Sequence, residues 1–207
     1  CGLAALLGLF LLLVGGPAAA DTPLPSWLDY RSDRALRSAW LAWSRGQVED
    51  AEAAARMAAK HRPENTDAWQ LLCGLLVDSR RWAAAEPPCE HLRSLAPREP
   101  AALLLHARVS VERGQQEAAF VSARTAAELA PDDPAGPLAE AMVAARLAGD
   151  YTVVELALRE AQRRAPQRSL AALPTWPGWE ALADDEPFIH LLERLLREAQ
   201  NAEPPAP

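Results

Sequence analysis

Residues 66–97 read TDAWQLLCGLLVDSRRWAAAEPPCEHLRSLAP. Trp69, Leu72 and Leu76 recur at helical spacing, the pattern breaks near Ser79 and Arg80, and a second helical pattern runs on to Pro97. Asn65 or Thr66 stands where a helix N-cap belongs, since a short polar side chain there accepts from the free N–H groups of the first turn. The stretch therefore predicts a helix, a short break, a second helix and a proline stop. The same layout repeats in both directions. Pro63, Pro97 and Pro131 stand 34 residues apart, and Pro166 follows after 35. The breaks at positions 46, 80, 114 and 149 keep that period. Five residues after each break come Ala51, Ala85, Ala119 and Val154. A small side chain there lets two antiparallel helices approach closely, whereas a large one is expected to overpack the contact by about 1–3 kcal/mol.

The first unit opens at Ser32 or Asp33 as cap, carries Leu36, Ala39, Trp40 and Trp43 at helical spacing to about Arg45, breaks at Gly46 and resumes from Val48 to Lys60. The third opens on Pro100, whose missing N–H costs nothing in a first helical turn, and breaks at Gly114. The fourth opens on Pro134 and breaks at Gly149, with one residue inserted before the break. A 34-residue helix–turn–helix unit with a mid-unit Gly, a small residue five later and a terminal Pro resembles the tetratricopeptide repeat (TPR). The second unit matches it best, through Trp69, Leu72, Cys73 and Leu76. The first and third lack the large first-helix aromatic, and the fourth has Pro137 in its place. The resemblance implies an all-α, right-handed solenoid of antiparallel helix pairs over residues 32–167, as units of about 32–65, 66–99, 100–133 and 134–167. Pro87 and Pro88 inside the second helix of unit two predict a late start or a bend.

After Pro166 the period is lost. Pro174, Trp176, Pro177 and Trp179 mark a turn-rich stretch, and Phe188, Leu191, Leu192, Leu195 and Leu196 mark a final amphipathic helix opening near Pro187. Residues 168–200 read as a cap over the end of the stack, with a Trp-lined ligand site as the alternative, and 201–207 as a disordered tail.

The first 20 residues carry no charge. Leu3 to Val14 is an apolar run of signal-peptide length, followed by Gly15, Gly16, Pro17 and three alanines, which predicts cleavage before Asp21. A retained membrane anchor and a lipid-modified Cys1 are competing readings; given a basic leader upstream, all three place the rest outside the cytoplasm. Residues 21–31, with Pro23 and Pro25, read as an extended lead-in. The net charge of −7 falls entirely after residue 20, with no Lys/Arg run among aromatics to offset it, so nucleic acid is a disfavoured partner.

No nucleophile elbow, phosphate loop or metal-binding histidine pair appears, so the sequence predicts neither an enzyme nor a cofactor or metal. His61, His91, His106 and His190 fall on different units, and Cys89 and His91 stand too close in sequence to share a helical face. The repeat register turns Cys73 and Cys89 toward one another. An oxidised pair suits an exported protein, and two cysteines that simply pack are the other reading.

In the TPR family the first helices line a concave groove that receives a peptide. Carried over by register, the groove displays Leu36, Trp40 and Trp43 from unit one; Asp67, Gln70 and Asp78 from unit two; Leu104, Arg108 and Glu112 from unit three; and Leu138, Met142 and Arg146 from unit four. The family's Lys/Asn/Arg clamp for chaperone C-termini is absent. Trp40 and Trp43 are either anchors for a partner or packing beneath Trp27 and Tyr30. The expected function is a non-catalytic scaffold that binds a partner protein or peptide, in assembly of a bacterial envelope complex. The alternative is the periplasmic scaffolding or sensory end of a larger membrane protein.

Overall fold

The computed structural model describes residues 27–166, 170–175 and 178–201. The apolar leader 1–20, residues 21–26 of the expected lead-in, Trp176 and Pro177, and the tail after Asn201 lie outside the described residues. The helices run α1 (Trp27–Ser44), α2 (Val48–His61), α3 (Thr66–Asp78), α4 (Trp82–Leu95), α5 (Pro100–Glu112), α6 (Gln116–Leu129), α7 (Ala135–Val143), α8 (Tyr151–Arg164) and α9 (Glu186–Asn201). A π-helical turn, Ala144–Ala148, prolongs α7, and 3₁₀ turns at Leu170–Thr175 and Glu180–Leu182 lead to α9. No strand occurs among the described residues. Each helix packs on the next, and α3 also touches α5, as α5 touches α7, so the first helices of successive pairs form one continuous face.

The recurring break is a left-handed helix end. Gly46, Gly114 and Gly149 adopt φ of 73°, 71° and 62°, and Arg80 takes the same conformation at 56°. Gln47 N–H bonds to Ala42 O at 2.9 Å, Arg81 N–H to Leu76 O at 2.9 Å and Gln115 N–H to Ser110 O at 2.8 Å, the six-residue closure that silences the last carbonyls of a helix. In the fourth unit the corresponding bond, Asp150 N–H to Ala144 O at 3.2 Å, spans one residue more. The inserted residue is absorbed there as the π turn, which lets the break keep its place in the stack. Ala51, Ala85, Ala119 and Val154 are all fully buried between paired helices, and the larger Val154 lies on α8, which packs against the π turn.

Two expectations need correction. Ser32 does not cap α1: the chain is already helical at Trp27, so residues 27–31 are helix rather than extended lead-in. Nothing between Pro25 and Gly46 breaks a helix, and Ser32 is instead buried in mid-helix. Its hydroxyl donates to Ala58 O of α2 (2.9 Å) and accepts from Asn65 Nδ2 (2.9 Å). Asn65 in turn caps α3 by accepting from Ala68 N–H. One buried polar chain thus locks three helices and leaves no partner unmet. Second, α4 starts on register at Trp82 and runs without interruption through Pro87 and Pro88. The prolines stand in its first two turns, and the segment is held by a disulfide from Cys89 to Cys73 on α3, with Cα atoms 5.1 Å apart and both side chains fully buried.

The C-terminal segment shares a core with the last two pairs. Trp179, Leu182, Phe188, Leu191, Leu192 and Leu195 are buried against Leu138, Met142, Val154 and Leu158. Asp185 caps α9 by accepting from Phe188 N–H at 2.8 Å, and also accepts from the Tyr151 hydroxyl at 2.7 Å. That shared carboxylate fastens the cap to α8 and pushes the Tyr151 pKa, through burial and then the bond to Asp185, up to about 12.

Candidate functional site on the inner face

At the N-terminal end of the inner face, Trp40 and Trp43 leave α1 edge to face, with ring centroids 5.4 Å apart. They are 46% and 45% exposed, a large apolar area left in water for an internal pair. Together with Gln70, Leu71, Gly74, Leu75 and Asp78 of α3 and Leu105 of α5 they enclose a cavity of about 190 Å³. Gly74 creates the space: a Cβ built there meets nothing within 4 Å. Trp27 and Tyr30 stack on each other at 5.8 Å and line a different cavity between α1 and α2, so they do not cover Trp40 and Trp43.

The structure therefore gathers Trp40, Trp43, Gln70 and Asp78 from the expected groove set. Asp67 is exposed on the same stripe of α3, one turn before the cavity. Neither Asp67 nor Asp78 has an ion-pair partner among the described residues. Leu36 is half-buried in the packing of α1 against α2 and α3, and Leu104 lies beside the cavity's Leu105 rather than in it. Leu71, Gly74, Leu75 and Leu105 are the lining residues that sequence reasoning missed; for Gly74 a lone glycine within an apolar helix was the available signal.

The rest of the expected groove is occupied by the chain itself. Leu138 and Met142, expected on display, are 9% and 5% exposed in the core that Trp179 and Leu182 complete. Arg146 forms a forked pair with Glu112, and Arg108 lies 3.8 Å from the same carboxylate with its guanidinium over the Trp82 ring. Gly178 closes over this cluster at φ 94°, where a Cβ would run into the Arg108 guanidinium. Glu180 then reaches the α3–α4 turn, pairing with Arg80 at 2.8 Å. The cap thus turns back along the inner face and, among the described residues, leaves its N-terminal half open.

A second polar cluster lies between α4, α5 and α6. His106 Nδ1 is 2.8 Å from Ser122 Oγ, and Nε2 is 2.8 Å from a Glu90 carboxylate that Arg93 also binds. Burial presses the His106 pKa down against the opposing pull of Glu90, so the ring is neutral near pH 7. A carboxylate only accepts, hence Nε2 carries the proton and Nδ1 accepts from Ser122. The order resembles a hydrolase relay, yet Ser122 is 3% exposed and sits inside α6, where the surrounding N–H groups belong to the helix ladder and none is left to hold an oxyanion. The cluster ties three helices. Among the described residues no group of three or more His, Cys, Asp or Glu side chains could hold a metal ion.

Left-handed breaks, small buried contact residues and stacked antiparallel pairs define a helical-repeat solenoid, and its fold is that of the tetratricopeptide-repeat solenoids. The fold is similar to that of TTC0263, a thermophilic TPR protein of Thermus thermophilus, at 21% identity and a TM-score of 0.56 over 82% of this chain and 98% of that one. It is similar to YrrB, described as a TPR protein with an unusual peptide-binding site, at 14% identity and a TM-score of 0.61 over 86% and 95% of the two chains. It also resembles part of a mutant O-GlcNAc transferase of Thermobaculum terrenum, at 23% identity and a TM-score of 0.56, over 67% of this chain but 27% of the transferase. No family model and no curated protein matches the chain.

Proposed function

We propose that this protein is a non-catalytic scaffold that captures a segment of a partner protein on the N-terminal half of its inner face. The observation that carries the reading is the half-exposed Trp40–Trp43 pair over a preformed cavity floored by Gly74. Rigid helices holding two indoles in place spare the ordering cost that a flexible site would incur on binding. The carboxylates of Asp67 and Asp78 beside the indoles, without ion-pair partners among the described residues, suit a segment with an apolar or aromatic anchor next to Lys or Arg, which both carboxylates and indole faces attract. The peptide-binding site of the similarly folded YrrB supports this reading. An extracytoplasmic location, in assembly of an envelope complex, is part of the proposal; the uncharged leader and the buried Cys73–Cys89 disulfide support it. The test is affinity recovery from an envelope extract with residues 21–207, against a Trp40→Ser/Trp43→Ser variant. Recovery of a defined partner that the variant loses at unchanged helical signal supports the reading. Equal recovery by both proteins refutes it.

A further inference from the structure

The outer face of the first helix pair carries a second surface, of different chemistry. Trp27, Tyr30, Arg31, Arg34, Ala35 and Ser38 recur along one side of α1 and, with Ala54, Met57 and His61 of α2, surround an open cavity of about 350 Å³. Trp27 is 69% exposed, Tyr30 50% and Met57 44%, so among the described residues this is an unpartnered apolar face. It also carries a local excess of positive charge in an acidic chain. Residues 27–62 hold seven Arg/Lys against five Asp/Glu, within a net charge of −7. Two of those acids, Asp29 and Asp33, are drawn toward Arg62 at 3.6 Å. Asp50, a turn before Ala54, is the nearest acid along the α2 stripe. Arg31, Arg34 and Lys60 have no ion-pair partner among the described residues. The pKa of His61 is lowered by desolvation and then by the charges of Arg31 and Lys60.

We propose that this face docks on a bilayer surface carrying anionic phospholipid headgroups, with Trp27, Tyr30 and Met57 in the interfacial layer and Arg31, Arg34 and Lys60 on the phosphates. Two observations favour a membrane over other occupants. Trp and Tyr beside Arg is the composition that settles at the water–lipid boundary, where rings find apolar depth and cations find phosphate. A second copy on a two-fold axis would set Arg31, Arg34 and Lys60 against their own images, a like-charge contact that disfavours self-association. Among the described residues no helix is long and apolar enough to cross a membrane, and the contact proposed here is with headgroups. The net acidity of the remainder does not cancel the attraction, because charges more than about 10 Å away are largely screened at moderate salt.

The test uses residues 21–207, which retain every helix and core contact described above. The protein is sedimented with vesicles of phosphatidylcholine alone and of phosphatidylcholine mixed with phosphatidylglycerol. Binding is expected on the mixed vesicles only and should fall as salt rises. An Arg31→Gln/Arg34→Gln variant should lose about fivefold per residue, about 25-fold in all. A Trp27→Ser/Tyr30→Ser variant should lose binding on the same vesicles, while exposed residues elsewhere, as in Val121→Ser/Leu156→Ser, should leave it unchanged. The proposal is overturned by absence of binding, by equal binding to neutral vesicles, or by both patch variants binding like the parent. Light scattering that shows a dimer abolished by Trp27→Ser/Tyr30→Ser overturns it in favour of a second copy. These outcomes are independent of the groove reading, since neither variant touches the Trp40–Trp43 cavity.

Discussion

Substitutions at Gly74 separate the fold from the proposed binding site. Glycine inside a helix costs about 1 kcal/mol relative to alanine, through backbone entropy alone. A Cβ at position 74 meets nothing within 4 Å, so Gly74→Ala should recover that amount without a clash. For a domain of this size, about 1 kcal/mol corresponds to a rise of about 2–4 °C in melting temperature. Gly74→Phe should behave differently. An engineered cavity of about 150 Å³ accepts benzene, so a phenyl ring at this position would fill most of the 190 Å³ space beneath Trp40 and Trp43. An anchor side chain that can no longer be buried forfeits about 1.5–3 kcal/mol, or about 10- to 150-fold in affinity. Thermal melts followed by circular dichroism, together with titration of the recovered partner segment, read both effects. If Gly74→Ala lowers the melting temperature, the space is not open as described. If Gly74→Phe folds and still binds the partner like the parent, the cavity is not the site.

Four further outcomes follow from the packing. Removing the disulfide with Cys73→Ala/Cys89→Ala should cost about 3 kcal/mol, because the bridge closes a loop of about 15 residues, and lower the melting temperature by about 6–12 °C; reduction of the parent should reproduce the loss. His106 has a depressed pKa when folded, so its contribution is present above the unfolded value of about 6.5 and is lost as pH falls below it. Melts between pH 5 and 7 should show that slope, and His106→Asn should flatten it. Tyr151 has a raised pKa, about 12 against 10.0, so its contribution holds below pH 10 and disappears as pH climbs to 12; absorbance titration of the phenolates, with Tyr151→Phe as control, checks this. Trp179→Ala should cost about 3–5 kcal/mol, since the ring is 4% exposed against Phe188, and chemical denaturation measures it.

Features set by local chemistry were legible in the chain. Asn65 and Pro100 open helices because of what their own side chains accept or lack, and Gly46, Gly114 and Gly149 end them because they enter the left-handed region without strain. The buried residues five positions past the breaks, Ala51, Ala85, Ala119 and Val154, follow from the period, and the repeat register faced Cys73 toward Cys89 while leaving open whether the two bridge or simply pack. Arg80 shows the limit of that logic. It adopts a glycine's conformation with a side chain attached, at a cost of about 1 kcal/mol, and its head pairs with Glu180 100 positions later.

What only the tertiary structure decided is how much of the inner face stays open. A repeat period tells which side chains share a face, since each helix repeats the geometry of the last. It carries no information about a segment that does not repeat. The cap, residues 178–182, buries Leu138 and Met142 and closes over Arg108 by contacts made across long stretches of sequence. The joining of His106, Ser122 and Glu90 and the mid-helix place of Ser32 are likewise products of helix against helix. The family resemblance, carried over by register, could name a groove; which half of it faces water was settled by where the remaining apolar surface found cover.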